Sequence, residues 1–286
     1  MARGPQIGLL IDPFHPFKLL FSTMRIGYVQ MEPIFGEVRR NLRHAKNMMR
    51  QQNADLWVLP ELFATGYQFT AQEEATALAE PVPEGPTTQD LITFAHERRC
   101  HIVAGLAESH ESNVYNSAVL VGPSGFLTRY RKVHLFSEEK CWFTPGDIPF
   151  PVIDIGEAKV GMMICFDHFF PEVARTLTLQ GAQIIAHPAN LVMPVYAQLT
   201  MRARAIENGV FTVTANRVGS EARTDKRLRF TGESQIVSPS GDILVQSSKD
   251  KQEARVVKID PAVARDKSLN PYNDRLADRR VDFYNL

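Results

Sequence analysis

Lys159–Glu172 reads KVGMMICFDHFFPE, and this stretch combines a short apolar run, a cysteine and the start of a helix. The run Val160–Ile164 is typical of a strand that is buried on both faces. Cys165 follows it directly, and Pro171 and Glu172 suit the first turn of a helix. That helix would bury an apolar stripe of Val173, Leu177 and Leu179. The stretch therefore predicts a strand, a sharp turn that carries a cysteine, and a helix.

Cys165 has two interpretations at this point. A thiol just before a helix N-terminus lies near unpaired backbone N–H groups, which stabilise a thiolate and make the cysteine a nucleophile. Free cysteines are also among the most buried residue types, and many of them only fill space in a core. This stretch alone leaves both interpretations open.

The composition is that of a globular protein with enough apolar residues for a large core. The chain has 286 residues, of which 44% are hydrophobic, and its formal net charge is zero. Because the charges are interspersed, the sequence argues against a nucleic-acid partner or a polybasic membrane patch and favours small neutral or mixed substrates. No apolar run approaches the ~20 residues that span a bilayer, so we expect no membrane partner.

The cysteines indicate the cellular compartment. Cys100, Cys141 and Cys165 form an odd, widely spaced set without a C-x-x-C motif, which argues against both a disulfide framework and a zinc site. Asp167 and His168 are adjacent but lack further partners at metal-ligand spacing. We therefore predict a cytoplasmic protein without metal or cofactor, and we expect Cys141 to be a packed residue.

The N-terminus differs from the rest of the chain. Residues 1–23 contain an apolar patch and three prolines but lack the pattern of a signal peptide, so we interpret them as an extension that arises from an upstream start or forms a loose tail. From Met24 onward, strands and helices alternate without a linker. We therefore predict a single α/β domain over residues 24–286.

The order of elements predicts two sheets packed face to face with helices outside. The predicted helices are Val38–Gln52, Thr87–Arg99 and Tyr196–Asn208, in addition to the helix after Cys165. In addition to the strand before that cysteine, the predicted strands are Ile26–Gln30, Leu56–Leu59, Ile102–Ala107, Asn116–Val121, Phe126–Tyr130, Ile184–Ala186, Val210–Ala215, Glu233–Val237, Ile243–Gln246 and Arg255–Ile259.

Three strand ends carry a polar group directly after an apolar run, where α/β folds usually build their sites. Glu61 follows Val58-Leu59-Pro60 and is either a general base or a solvated loop residue. Lys132 is either an oxyanion-stabilising cation or a surface lysine. Cys165 is the third. The order Glu, Lys, Cys, each at the end of a strand, favours one site that contains all three residues.

The segments that carry these residues resemble a known family. PELFATGY, YRKVHLF and ICFDHFFPE are similar to the three signature segments of the nitrilase superfamily of carbon–nitrogen hydrolases. Arg202–Gly219, RARAIENGVFTVTANRVG, also resembles that family. The resemblance runs from about Met24 to the C-terminal region, and it is greatest to the short archaeal-type nitrilases of aliphatic nitriles.

The resemblance implies a four-layer αββα sandwich of two mixed sheets flanked by helices, which pairs with a second copy into a homodimer or a higher homo-oligomer. It implies that Glu61 is the general base, that Lys132 stabilises the tetrahedral intermediate and that Cys165 is the nucleophile. Glu139 matches a further glutamate that positions the substrate, although its neighbour Glu138 leaves a one-residue ambiguity.

Further residues are candidates for the substrate pocket. The Phe166 backbone N–H is a candidate oxyanion donor, and Asn190 begins a loop that we expect to line the pocket. His187 in the HPAN segment has a structural or pocket-lining role by the same resemblance, and we expect His134 to order the loop after Lys132.

Several functions remain open from the sequence. The first is hydrolysis of a small amide or nitrile through a Glu-Lys-Cys triad, with release of ammonia; an N-carbamoyl amino acid hydrolase would use the same triad. The second is a catalytically silent scaffold subunit, although all three triad residues are present. The third is a redox thiol protein, which would need a resolving cysteine near Cys165.

Overall fold

A computed structural model describes residues 23–284, so nearly all of the predicted N-terminal extension lies outside the described residues. The strands are β1 Met24–Gln30, β2 Leu56–Val58, β3 Glu80–Pro81, β4 His101–His110, β5 Asn113–Gly122, β6 Gly125–Arg131, β7 Val152–Asp154, β8 Lys159–Met162, β9 Ile184–Pro188, β10 Phe211–Ala215, β11 Ser220–Glu221, β12 Leu228–Arg229, β13 Gln235–Val237, β14 Ile243–Gln246, β15 Glu253–Ile259, β16 Ser268–Asn270 and β17 Asn273–Asp274.

The α-helices are α1 Val38–Arg50, α2 Gln72–Leu78, α3 Pro86–Arg98, α4 Glu139–Trp142, α5 Pro171–Leu179 and α6 Tyr196–Asn208. Short 3₁₀ turns cover Cys165–Phe169, Pro261–Ala264 and Val281–Phe283.

Two mixed sheets form the centre of the molecule. The first has the order β15-β1-β2-β4-β5-β6, with β3 beside β4, and the second has the order β14-β13-β10-β9-β8-β7. In each sheet the central strands run parallel, β1-β2-β4 and β8-β9-β10. The strands outside them are antiparallel, apart from the two-residue β3, which pairs with β4 in parallel. Parallel strands are covered on both faces, which explains why their sequences are continuous apolar runs.

Three hydrophobic layers hold the sandwich together. The largest lies between the sheets and includes Tyr28 and Val58 from the first sheet and Ile164 and Val213 from the second. A second layer joins α1 and α3 to the outer face of the first sheet, and a third joins α5 and α6 to the second sheet. The predicted four-layer αββα architecture is therefore what the chain forms.

Most predicted elements match the structure within a few residues, and α6 and β14 match at both ends. Two predictions about the central stretch were wrong. The strand before the cysteine ends at Met162 and not at Ile164, whereas the predicted turn is present as the 3₁₀ turn Cys165–Phe169, which begins at the cysteine and leads to α5. Leu179 is 49% exposed rather than buried, because it lies at the last position of α5.

Candidate active site

The three predicted residues lie at strand ends of both sheets. Glu61 follows β2, Lys132 follows β6, and Cys165 follows β8. Glu61 is held against β4, because the Gly105 backbone N–H donates to the Pro60 carbonyl at 3.2 Å. A side chain at Gly105 would put its Cβ 2.5 Å from the Cα of Glu61, so this close approach requires glycine.

Lys132 lies at the centre of the site and is fully buried. Its ammonium Nζ donates to Glu61 Oε1 at 2.7 Å and to Glu139 Oε1 and Oε2 at 2.8 and 2.7 Å. Burial opposes the charged form, but the Glu139 and Glu61 carboxylates outweigh burial and raise the pKa of Lys132 above its usual value. The lysine is therefore a fixed positive charge.

Of the two neighbouring glutamates, Glu139 is the one that contacts Lys132. Its Oε1 also accepts from the Tyr67 hydroxyl at 2.7 Å, and its Oε2 accepts from the Phe136 backbone N–H at 3.2 Å. Burial raises the pKa of Glu139, Lys132 lowers it, and Glu61 raises it further. Glu138 is half-buried and pairs with the exposed Lys226 at 2.6 Å.

Glu61 differs from Glu139 because only one of its carboxylate oxygens is occupied. Oε1 accepts from Lys132 and from the Asn116 side-chain amide at 2.7 Å. Oε2 is buried and has no hydrogen-bond partner in the described part of the chain. An unpaired buried carboxylate oxygen is unfavourable for folding, and it is available to accept a proton.

Cys165 combines burial with a strained backbone. Its φ of 44° lies in the left-handed region, which residues with a side chain adopt only when their surroundings hold them there. Burial raises the pKa of the Cys165 thiol well above its usual value, as does the negative charge of Glu61. The Lys132 charge and a hydrogen bond to the Asn190 backbone act in the opposite direction. The resting thiol is therefore protonated, and a nearby base is needed to make a thiolate.

The space beside the thiol is small and mostly apolar. It holds about 20 Å³ and is lined by Phe136, Cys165, Phe166, His168, Asn190, Leu191, Val192 and Met193. A second space of about 70 Å³ shares Phe136 and Val192 with it and extends to the exposed Lys226–Glu138 ion pair. Asn190 is held in place because its side-chain amide donates to the Glu61 carbonyl at 2.9 Å. Phe166 and Asn190 therefore both line the space beside the thiol.

A family model for carbon–nitrogen hydrolases matches residues 25–267 of the chain. The chain belongs to the carbon–nitrogen hydrolase family. A nitrilase of Pyrococcus abyssi is 49% identical over 264 residues, which cover 91% of this chain and 99% of the relative. An (R)-stereoselective amidase of a Pseudomonas species is 35% identical over 263 residues, which cover 90% and 92% of the two chains. The predictions of the family and of an enzyme are confirmed.

A solved structure of a mutant amidase from a Nesterenkonia species has the same fold. It superposes with a TM-score of 0.74 at 27% identity and covers 91% of this chain and 94% of its own. In that amidase, the acetamide moiety of fluoroacetamide is covalently attached to the active-site cysteine.

His187 does not line the space beside the thiol in this carbon–nitrogen hydrolase. Its Nε2 donates to the Cys165 carbonyl at 2.9 Å, and its Nδ1 accepts from the Thr214 hydroxyl at 3.1 Å. Burial lowers the pKa of His187 to about 4, so the ring is neutral at physiological pH. Both ring nitrogens are therefore engaged by the Cys165 carbonyl and the Thr214 hydroxyl.

Other site residues were missed from the sequence. Asn116 binds Glu61 and Tyr67 binds Glu139. Asn116 stands beside the apolar run of β5, and Tyr67 ends the PELFATGY segment, but neither position alone indicates these contacts. Cys141 was expected to be packed, but it is exposed because it lies on the outer side of the short helix α4. All three cysteines are free thiols, and Cys100 lies in the layer beneath α1 and α3, away from the layer that contains Cys165.

Two further features concern metals and membranes. Across residues 23–284, no group of three or more His, Cys, Asp or Glu side chains is placed to hold a metal ion. None of the helices described there has the length and apolar character needed to cross a bilayer.

Proposed function

We propose that this carbon–nitrogen hydrolase cleaves small aliphatic amides or nitriles through a covalent intermediate on Cys165, with Glu61 as the general base and Lys132 as the stabilising charge. One observation carries the assignment: among residues 23–284, Glu61 has a buried carboxylate oxygen without a hydrogen-bond partner, and the Glu61 charge acts on the Cys165 thiol. Glu139 has both oxygens occupied, so its role is to hold Lys132 and shape the site.

For an amide, the thiol proton moves to Glu61 Oε2 while the sulfur attacks the carbonyl carbon. The resulting oxyanion is stabilised by the Lys132 charge and the Phe166 backbone N–H. All three Lys132 protons are already bonded to carboxylates, so direct contact with the oxyanion requires one of the Glu139 bonds to be exchanged. Glu61 returns the proton to the nitrogen, the C–N bond breaks, and ammonia leaves a thioester on Cys165.

Water then completes the cycle. Glu61 accepts a proton from the water as the water oxygen attacks the thioester carbon. Glu61 then returns this proton to the sulfur as the C–S bond breaks, which gives the carboxylic acid and the free thiol. For a nitrile, the thiol first adds across the C≡N bond to form a thioimidate. Water adds to that carbon, ammonia leaves, and the same thioester remains. The nitrile route therefore consumes two water molecules and the amide route consumes one.

The size and lining of the site favour short, mainly apolar substrates, because the space at the thiol is narrow and has aromatic walls. The nitrilase and amidase relatives support nitriles and amides as the substrate class. N-carbamoyl amino acids are the alternative, because the same residues would act on a carbamoyl carbon. We further propose that the enzyme acts in the cytoplasm, where its three free cysteines stay reduced, and that it acts as a homodimer.

The test is ammonia release from a matched panel of short aliphatic nitriles, their amides and N-carbamoyl amino acids, with Cys165→Ala as the blank. Turnover of nitriles alone would identify the thioimidate route, and turnover of amides or carbamoyl compounds would identify an amidase. Equal ammonia release by wild type and Cys165→Ala would contradict the mechanism. Absence of ammonia release by wild type from every compound in the panel would contradict the proposed substrates and favour the scaffold function.

A further inference from the structure

Asp167 is a buried carboxylate that the proposed chemical steps do not use. It is the third residue of the turn Cys165–Phe169, and its side chain is completely covered. From within the turn that carries Cys165, its side chain contacts the segment that carries Lys132, so it is placed to couple the two.

Both oxygens of Asp167 accept hydrogen bonds, and the donors come from both segments. Oδ2 accepts from the Ile164 backbone N–H at 2.8 Å and from the Tyr130 hydroxyl at 2.8 Å. Oδ1 accepts from His134 Nδ1 at 2.7 Å and, at 3.4 Å, from the His134 backbone N–H.

The positions of these donors explain what the carboxylate does. Tyr130 and His134 lie two residues before and two residues after Lys132, and Ile164 immediately precedes Cys165. The Tyr130 hydroxyl also accepts from the Val133 backbone N–H at 3.1 Å, so the chain on both sides of the lysine is tied to one point. Since the φ of Cys165 is positive, its turn depends on such external contacts.

We infer that Asp167 is the positioning residue that fixes the Cys165 thiol relative to Lys132 and Glu61. This inference rests on the proposed function of those three residues. The position of Asp167 requires a carboxylate, because each group that contacts its side chain is a hydrogen-bond donor. Asparagine has the same shape, but its NH₂ group would face donors on one side and leave them unpaired.

The first test compares Asp167→Asn with Asp147→Asn as a matched control. Asp147 accepts from Arg131, the neighbour of Lys132, at 2.9 Å, and its side chain is 51% exposed. The described contacts of Asp147 are with Arg131 and Tyr115, away from the cysteine turn. A misplacement of about 1 Å costs on the order of 100-fold in rate, so we expect kcat of Asp167→Asn to fall by about that factor with KM little changed.

Tyr130→Phe is the second variant, in case Asp167→Asn does not fold. It removes one hydroxyl that binds Asp167 and keeps the ring, so we expect a smaller loss of kcat in the same direction. Equal kcat losses in Asp147→Asn and Asp167→Asn would overturn the inference, because loosening of the Lys132 strand alone would then explain both.

The second readout needs no substrate. Iodoacetamide forms a C–S bond with Cys165 as iodide leaves, and the thiol proton moves to Glu61. The measurement uses a Cys141→Ser background because Cys141 is exposed, and burial raises the pKa of Cys100 to about 11. With Asp167 present, we expect the alkylation rate to depend little on pH near neutrality, because Glu61 accepts the thiol proton. In Asp167→Asn the thiol must ionise alone, so the rate should rise about tenfold per pH unit.

An unchanged pH slope in Asp167→Asn would contradict the positioning role, since a merely structural aspartate would alter the melting temperature and not the slope. This outcome is separate from failure of the proposed function. If wild type hydrolyses nothing in the panel, the alkylation slopes still report whether Asp167 holds Cys165 beside its base.

Discussion

Substitution of Glu61 tests the proposal that the two buried glutamates have different roles, with Glu61 as the general base and Glu139 as the residue that holds Lys132. Glu61→Gln removes the proton acceptor while the amide oxygen can still bind Asn116 and Lys132. General-base catalysis contributes about 10²–10⁴-fold, so we expect kcat to fall within that range. We expect a melting temperature close to that of wild type, because the shape and most contacts are kept. Ammonia release and thermal unfolding measure the two effects.

Glu74→Gln is the control for this substitution, because Glu74 is a partly exposed glutamate whose carboxylate pairs with Arg223 at 2.6 Å. It should leave kcat unchanged. If Glu61→Gln retained wild-type activity, the base would have to be another group, and the free oxygen of Glu61 would have no catalytic meaning.

Lys132 also stabilises the fold, which its sequence context does not indicate. From the sequence alone, Lys132→Ala should abolish turnover without unfolding the chain. The structure places the ammonium between two buried carboxylates, so its removal leaves their charges without a counter-ion. Breaking a buried ion pair costs about 3–5 kcal/mol. We therefore expect Lys132→Met to lose activity and also much of its free energy of unfolding.

The pH dependence of that loss has a definite sign. Burial already raises the pKa of Glu139 above 4.5, and removal of Lys132 takes away the charge that lowers it. A raised folded pKa stabilises the fold below the unfolded value, and this contribution is lost as pH rises. Urea unfolding should therefore show a larger gap between wild type and Lys132→Met at about pH 8 than at about pH 5. Lys226→Met, at an exposed pair, should show a small gap at both.

At the scale of elements, the apolar strands could be predicted because burial on both faces leaves a run in the sequence. Strands β2, β6 and β8 were found in this way, with C-terminal ends one or two residues from those predicted, and the site lies just beyond these ends. The short helices α2 and α4 were missed because helices of seven and four residues are too short to show helical periodicity. Glu139 therefore looked like a loop residue, and only the resemblance to a family indicated its place.

Strand β9 gives a prediction about acid stability. Burial lowers the pKa of His187 on this strand to about 4, below its ordinary 6.5. A depressed folded pKa gives stability that is fully present above about pH 6.5 and is lost as pH falls through about pH 4. We expect His187→Gln to weaken this dependence by up to about 1.4 kcal/mol per pH unit, because glutamine does not titrate.

Urea unfolding from neutral to acidic pH measures the effect. The exposed His110 provides the control, and His110→Gln should leave the wild-type slope unchanged. An identical slope in His187→Gln would mean that other groups, such as His168 with its pKa lowered to about 3 by burial, account for the acid sensitivity.

At the scale of the whole molecule, the site exists only because the two sheets bring distant segments together. Glu61 and Asn116 come from the first sheet, and Cys165 and Asn190 come from the second. The order of Glu, Lys and Cys predicted a shared site, but no local pattern predicted that Asn116 binds Glu61 or that Asp167 joins the lysine to the cysteine. Such contacts depend on the packing of the sheets, which one-dimensional spacing does not contain.

The outer helical layer has an exposed apolar stripe that predicts how the chain assembles. Along α6, Tyr196, Leu199 and Ile206 are 54%, 61% and 45% exposed, and Phe169 lies beside Tyr196 with ring centroids 5.9 Å apart. An apolar stripe of this kind on a folded domain is typical of an interface. A second copy of the chain could cover it by a two-fold axis, since a self-complementary patch satisfies both subunits.

We expect Leu199→Glu to convert a homodimer into a monomer, because it places a charge in the middle of the stripe. Sedimentation equilibrium measures the mass, and Ile34→Glu is the control, since Ile34 is 42% exposed and lines a different cleft beside α1. A monomeric wild type, or a dimer that survives in Leu199→Glu, would assign the stripe another purpose. Activity should fall with the dimer, because α6 also holds the cysteine turn: Thr200 bonds to His168 at 2.7 Å, and Arg204 donates to the His168 carbonyl at 3.1 Å.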